Sequence, residues 1–194
     1  MKKISTLYKK NPDNLSIVID EISEENKWVF ENGIPTRKFD GTSTSIIENE
    51  LYKRYDVKKN RKVPLNAIPC QEADKNTGHW PHWVKCDRNN PADKYHFEAF
   101  DKLLKESIIT DEFNPNKFDG TYELCGPKIL SNPEKIEKHK LIKHGVEVLH
   151  DCVDFSFDGL KEYLSKHDIE GIVFHEKNGN RMCKIRKCDF NIKR

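Results

Sequence analysis

Apolar positions along this chain come in short clusters, and most clusters have the length of a strand. Trp28-Val29-Phe30 reads as a strand, with Asn32-Gly33 a strong turn signal behind it. Thr42 to Ile47 is rich in β-branched residues and fits a second strand. Leu51 to Val57 fits a third, after a turn near Asn49, which leaves Lys38 at a strand-to-strand junction in a meander. Val63 to Asp93 holds prolines, Trp80, Trp83 and little periodicity, and reads as a long ordered loop with short strands. Phe97, Phe100, Leu103 and Leu104 fall on one helical stripe. Tyr122-Glu123-Leu124 is a short strand ended by Gly126-Pro127, and Val146 to Leu149 is another. Asp158 is placed to cap a helix carrying Leu160, Tyr163 and Leu164 on one face. Ile172-Val173-Phe174, a turn at Asn178-Gly179 and Met182 to Arg186 form a closing hairpin. The pattern predicts an α+β fold of antiparallel strands flanked by a few helices.

Composition narrows the class. A length of 194 residues suffices for one domain with a sizeable core and is short for two, so residues 1–194 are expected to form a single domain. Charged residues make up 34% yet leave a net charge of only +2, which excludes a strongly basic nucleic-acid coat but not a local basic track. Two tracks stand out: Lys53, Arg54, Lys58, Lys59, Arg61 and Lys62, then Lys184, Arg186, Lys187, Lys193 and Arg194. Either one alone reads as a solvated face; flanking a phosphate-handling site, they favour an anionic polymer as partner. Met1-Lys2-Lys3 is not followed by an apolar stretch suited to a signal peptide, and no window approaches a membrane span. Six cysteines without a Cys-x-x-Cys spacing then read as reduced thiols in the cytoplasm or nucleus.

The richest chemistry lies in Lys38-Phe39-Asp40-Gly41-Thr42-Ser43. A lysine two residues before Asp-Gly suits attack on the α-phosphate of a nucleotide, with the Lys38 amine as nucleophile. Asp40 is an acceptor for a ribose hydroxyl or a metal, and Gly41 lets the backbone approach a ligand closely. The tetrapeptide recurs as Lys117-Phe118-Asp119-Gly120, so at least one copy has another role. Three further segments fit the same chemistry. Glu123 sits in an apolar strand just before Gly126, and Glu170 stands at the start of the strand Ile172-Val173-Phe174. Lys184 and Arg186 alternate on one strand and so share a face. Each is commonplace alone; their order carries the information.

That order resembles motifs I, III, IV and V of the covalent nucleotidyltransferases, the superfamily of ATP-dependent ligases and messenger-RNA capping enzymes. Ser43, where DNA ligases and capping enzymes usually have arginine, looks like the RNA-ligase form. Ile68-Pro69-x-x-Glu72, Gly78-His79-x-Pro81-x-Trp83-Val84, Glu123-Leu124-x-Gly126, His144-Gly145 and Glu170-Gly171-Ile172-Val173-x-His175 look like the small single-domain RNA 5′-phosphate/3′-hydroxyl ligases. The match runs from about Lys38 to the C-terminus.

The resemblance implies a nucleotidyltransferase (ATP-grasp-like ligase adenylation) domain and a covalent lysyl-AMP intermediate made from ATP. Lys38 would be the nucleophile, and Lys117 would lie in a structural turn entering the Glu123 strand. Lys184 and Arg186 would grip the α-phosphate and supply the positive field that helps Lys38 shed its proton. Glu170 is the best Mg²⁺ (or Mn²⁺) contact. Asp40 and Glu123 would bind the ribose edge or a metal-bound water. Arg54 looks like the superfamily's arginine after motif I, which contacts sugar or phosphate. Glu72 is the weaker candidate, because its segment is irregular. AMP would then pass to an RNA 5′-phosphate, and the 3′-hydroxyl of a second end would displace it. The implied partner is RNA with those ends; no membrane and no obligate protein partner is indicated, and a monomer is expected. Few residues follow Arg186, so the OB-fold domain that capping-type guanylyltransferases and DNA ligases carry there is not expected. Those enzymes, and an inactive nucleic-acid-binding relative, are the rival readings.

Three local expectations concern geometry. For Glu170, Lys184 and Arg186 to share a face, opposite residues of the last hairpin must sum to an even number. That predicts a three-residue loop, Lys177-Asn178-Gly179, or a bulge, with Glu170 opposite Arg186 and Ile172 opposite Lys184. His79-x-x-His82-x-x-x-Cys86 has loosely metal-like spacing but no second ligand pair, so satisfied loop or core histidines are expected. Trp80 and Trp83 read as a small apolar cluster under the long loop, with stacking on an RNA base as the other option.

Overall fold

The computed structural model describes residues 3–74, 78–107 and 117–194. Its elements, in chain order, are β1 (Ser5–Thr6), β2 (Tyr8–Lys10), β3 (Val18–Ile22), α1 (Val29–Asn32), β4 (Gly33–Lys38), β5 (Thr42–Ile47), β6 (Glu50–Val57) and β7 (Ile68–Pro69). There follow β8 (Trp80–Lys85), α2 (Lys94–Ser107), β9 (Gly120–Cys125), β10 (Lys140–Lys143), α3 (Phe157–Lys166), β11 (Gly171–Glu176) and β12 (Met182–Arg186). The fold is α+β, with mostly antiparallel sheets and few helices. No described helix is long and apolar enough to cross a membrane.

The chain divides into two compact units. One is built on Asp40–His144 and includes Lys3; the other comprises Ile4–Phe39 and Gly145–Arg194.

The first unit holds an antiparallel sheet in the order β10-β9-β5-β6-β8-β7. Strand alternation sorts its two faces. Ile46, Leu51, Tyr122, Leu124 and Leu141 point to one side, where Phe97, Phe100, Leu103 and Leu104 of α2 cover them. The predicted helical stripe is therefore the core face of α2. The other side carries Ser43, opposite Glu123, and Arg54, opposite Trp83. The turn into β6 runs through Glu48 and Asn49 at φ of 51° and 63°. Asp119 accepts hydrogen bonds from both their backbone N–H groups, at 3.0 and 3.2 Å. The Val63 to Asp93 stretch contains β7 and β8, as expected of a loop with short strands; its residues 75–77 lie outside the described residues.

The second unit holds the order β1-β12-β11-β4, antiparallel except for the β1–β12 pair, and a separate β2-β3 ribbon. Its core joins Leu7, Tyr8, Trp28, Val29, Leu160, Leu164, Ile172, Phe174, Cys183, Ile185 and Phe190.

Several expectations need correction. Trp28-Val29-Phe30 leads into α1 rather than forming a strand. Three apolar residues do not define a period. Adjacent Trp28 and Val29 are both buried while Phe30 is 45% exposed, which strand alternation forbids. Lys38 does not sit in a meander, because β4 and β5 belong to different sheets. Val146 to Leu149 makes only a bridge to β4, Thr36 to Val148. The neighbouring pair uses Leu149 N–H to the Pro35 carbonyl, and Pro35 has no N–H to return the bond. Helix α3 is capped by Ser156, whose side chain accepts from Gly159 N–H, and not by Asp158. Strand β10 and the N-terminal strands carry no readable alternation and went unpredicted.

Candidate functional site

In the second unit, the register across three strands runs Lys38 to Gly171 to Arg186, and Thr36 to Val173 to Lys184. Ile172, Phe174, Cys183 and Ile185 are fully buried on the core face. Alternation therefore puts Lys38, Lys184 and Arg186 together on the opposite face. Gly171 lies between Lys38 and Arg186 and presents no side chain. A Cβ there would meet the Ile185 carbonyl oxygen at 2.4 Å and Arg186 Cα at 2.8 Å. Glycine is thus required by close backbone approach.

The predicted hairpin parity is overturned. Val173, not Ile172, pairs with Lys184, and Gly171, not Glu170, pairs with Arg186. Glu170 reaches the face by another route. It precedes the first residue of β11 and is not bound by its alternation, and its Oε2 accepts from Lys38 Nζ in an ion pair. The parity rule was applied to a residue outside the ladder.

Electrostatics tune this cluster. The Lys184 amine is pushed down to about 8, chiefly by burial and then by repulsion from Arg186 and Lys38, with Glu170 and Asp189 opposing. Arg186 is fixed by Asp189. Its Nε and Nη2 donate to the two carboxylate oxygens at 3.2 and 3.0 Å, and its backbone N–H donates at 2.9 Å. Asp189 is fully buried and also accepts from Lys10 Nζ at 2.6 Å. Burial alone would raise its proton affinity; hydrogen bonds from Arg186 and Lys10 more than offset that and keep it ionised. The Asp189 bond in turn raises the pKa of Arg186. Sequence reading passed over Asp189 and Lys10, although Asp189 stands three residues after Arg186 at the start of the 3-10 turn Lys187–Phe190, where a capping acid belongs.

The first unit positions the other predicted residues. Gly41 packs on β9: a Cβ would meet the Leu124 carbonyl oxygen at 2.3 Å and Cys125 Sγ at 2.8 Å. Asp40 N–H donates to Glu134 Oε1 at 2.9 Å, a partner the sequence did not reveal. Glu123, opposite Ser43, pairs with His144 Nε2 at 2.9 Å, and His144 Nδ1 lies 3.0 Å from Thr121 Oγ1. Arg54 shares the Ser43–Glu123 face and donates through Nε to Asp56 at 2.8 Å. Trp83 lies on that face too and is buried. Glu72 lies off the strands, exposed, between β7 and β8. The basic residues Lys58, Lys59, Arg61 and Lys62 are exposed in the preceding connection, between β6 and β7.

Each unit therefore gathers part of the predicted set: Lys38, Glu170, Lys184 and Arg186 in one, Asp40, Gly41, Arg54 and Glu123 in the other. Chemically, three cations on one face suit an anion with several oxygens, and two of those cations are primary amines. No protein-family model matches the chain, and no curated protein matches it.

Proposed function

We propose that this chain is an ATP-dependent RNA ligase of the covalent nucleotidyltransferase type. The observation that carries the reading is the register Lys38–Gly171–Arg186, with Lys184 beside it and Glu170 on the Lys38 amine. Lysine and arginine at these places bring a nucleophile and phosphate-binding groups to one face.

In the proposed first step, Lys38 Nζ attacks the α-phosphorus of ATP. A nitrogen–phosphorus bond forms, the bond to the bridging oxygen breaks, and pyrophosphate leaves with the electron pair. Such displacements depend on alignment and charge stabilisation more than on covalent help. Glu170 orients the amine, and the lost proton passes to solvent. Arg186, held rigid by Asp189, is preorganised for the α-phosphate; Lys184, charged below about pH 8, adds to that grip. In the other unit, Glu123, oriented by His144, and Asp40 offer carboxylates of the kind that bind a ribose edge. Glu170 and Glu123 are partly accessible carboxylates, 20% and 12% exposed, the hard oxygen donors that Mg²⁺ takes singly alongside phosphate and water. When bound, Mg²⁺ would neutralise charge on the phosphates and the leaving pyrophosphate. Transfer of AMP to an RNA 5′-phosphate, and its displacement by a 3′-hydroxyl, complete the proposed reaction.

Incubation with α-labelled ATP and Mg²⁺ tests the reading. Label should stay on the denatured protein, vanish in Lys38→Ala and persist in Lys117→Ala. Preference for GTP would favour a capping-type enzyme, and no adduct with any nucleotide would favour an inactive nucleic-acid-binding relative.

A further inference from the structure

We propose a second site, for a single Zn²⁺ ion, at the junction of β8 and α2, held by Cys86, Asp93 and His96. It rests on different residues from the ligase reading and stands without it.

The three side chains come together because two connections bring them there. Cys86 follows β8 and is fixed by its N–H bond to the Leu51 carbonyl at 2.8 Å. Asp93 ends the 3-10 turn Pro91–Asp93 that enters α2, and His96 lies three residues further, one helical turn on the same face. One donor atom from each lies within 4.8 Å of the other two, and all three residues are buried. Donor atoms around tetrahedral zinc stand roughly 3.3–3.8 Å apart, given bonds of about 2.0–2.3 Å, so a closure of about 1 Å completes the site.

A second observation, independent of proximity, points to a ligand. Neither ring nitrogen of His96 has a hydrogen-bond partner among the described residues, although the residue is only 8% exposed. Buried imidazole nitrogens are ordinarily satisfied.

The surroundings suit a metal–thiolate centre. Asp93 accepts from Lys53 Nζ, from Asp87 N–H at 3.0 Å and from Asn90 Nδ2 at 3.5 Å. A carboxylate has about four acceptor positions, so one remains for the ion. Sulfur, imidazole and carboxylate together select zinc over Mg²⁺ or Ca²⁺. Binding exchanges the Cys86 thiol proton for the metal, and a water completes four-coordination. The site would tie the end of β8 to the start of α2. Of the pattern His79-x-x-His82-x-x-x-Cys86, Cys86 alone belongs to this cluster: His82 is buried with its Nδ1 2.9 Å from the Trp80 carbonyl, the satisfied core histidine expected of it.

Cobalt substitution tests this on the full chain. After dialysis against a chelator, Co²⁺ should bind one per chain, with a sulfur-to-cobalt charge-transfer band in the near ultraviolet and visible bands of tetrahedral intensity. Zn²⁺ should displace it. Cys86→Ser, nearly the same shape, should remove the charge-transfer band, while Cys188→Ser, at an exposed thiol, should leave it intact. His96→Gln should weaken cobalt binding by more than the roughly 10–100-fold that outer partners of a metal site cost. No cobalt spectrum in the unmodified chain, or a band unchanged in Cys86→Ser, would overturn the proposal.

Discussion

Two segments of this molecule have the same four residues and different lives. Lys38-Phe39-Asp40-Gly41 and Lys117-Phe118-Asp119-Gly120 offer identical side chains. Lys38 ends a strand whose register places it across Gly171 from Arg186, in an ion pair with Glu170. Asp119, by contrast, spends both carboxylate oxygens on the backbone N–H groups of Glu48 and Asn49 and so holds the turn between β5 and β6. The glycines differ as well. Gly41 is pressed against the Leu124 carbonyl, whereas a Cβ on Gly120 would first meet the flexible end of Lys143, at 3.3 Å. A tetrapeptide becomes a candidate site through its long-range partners; without them it is a turn.

The contrast predicts unequal responses to equal changes. The largest concerns the lysines: Lys38→Ala should abolish nucleotide labelling and Lys117→Ala should leave it near the unmodified level, measured as label per chain. Next come the glycines. Gly171→Ala should cost about 3 kcal/mol in urea unfolding, because backbone on both sides must move, and should reduce labelling further by displacing Arg186. Gly120→Ala should cost about 1 kcal/mol, mostly from its φ of +146°. Asp119→Ala should cost about 1–2 kcal/mol by leaving two turn N–H groups without their acceptor, with labelling retained.

The last expected effect is a pH dependence specific to the Lys38 side. Lys184 titrates near 8 in the folded chain against an ordinary value of 10.5. Below pH 8 it is charged in both folded and unfolded states, and the cost of burying that charge is fully present. Between about 8 and 10.5 the unfolded chain binds more protons, so stability from this group rises with pH. Anion affinity moves the other way. Binding of a non-hydrolysable ATP analogue should weaken about tenfold from pH 7 to 9.5, the worth of one charge-assisted hydrogen bond, and Lys184→Met should flatten that change.

Much of this was legible in the sequence where periodicity was long enough to be read. The β-branched run Thr42–Ile47, the α2 stripe and the alternation of Lys184 with Arg186 all survive in the fold. Short apolar clusters mislead: Trp28 to Phe30 leads into a helix because adjacent residues are buried together, and the parity expected of the last hairpin depends on Glu170, which lies outside the ladder. Partners at long range left no local trace. Glu134 on the Asp40 N–H and Lys10 on Asp189 are products of topology.

The central claim is that the Lys38 amine becomes covalently linked to AMP. Proteolysis of the chain after incubation with ATP and Mg²⁺, followed by mass spectrometry of the peptides, locates any adduct directly. The account predicts one AMP on the peptide containing Lys38, absent when Arg186 is replaced by alanine. An adduct on Lys117, or no adducted lysine at all, would contradict it.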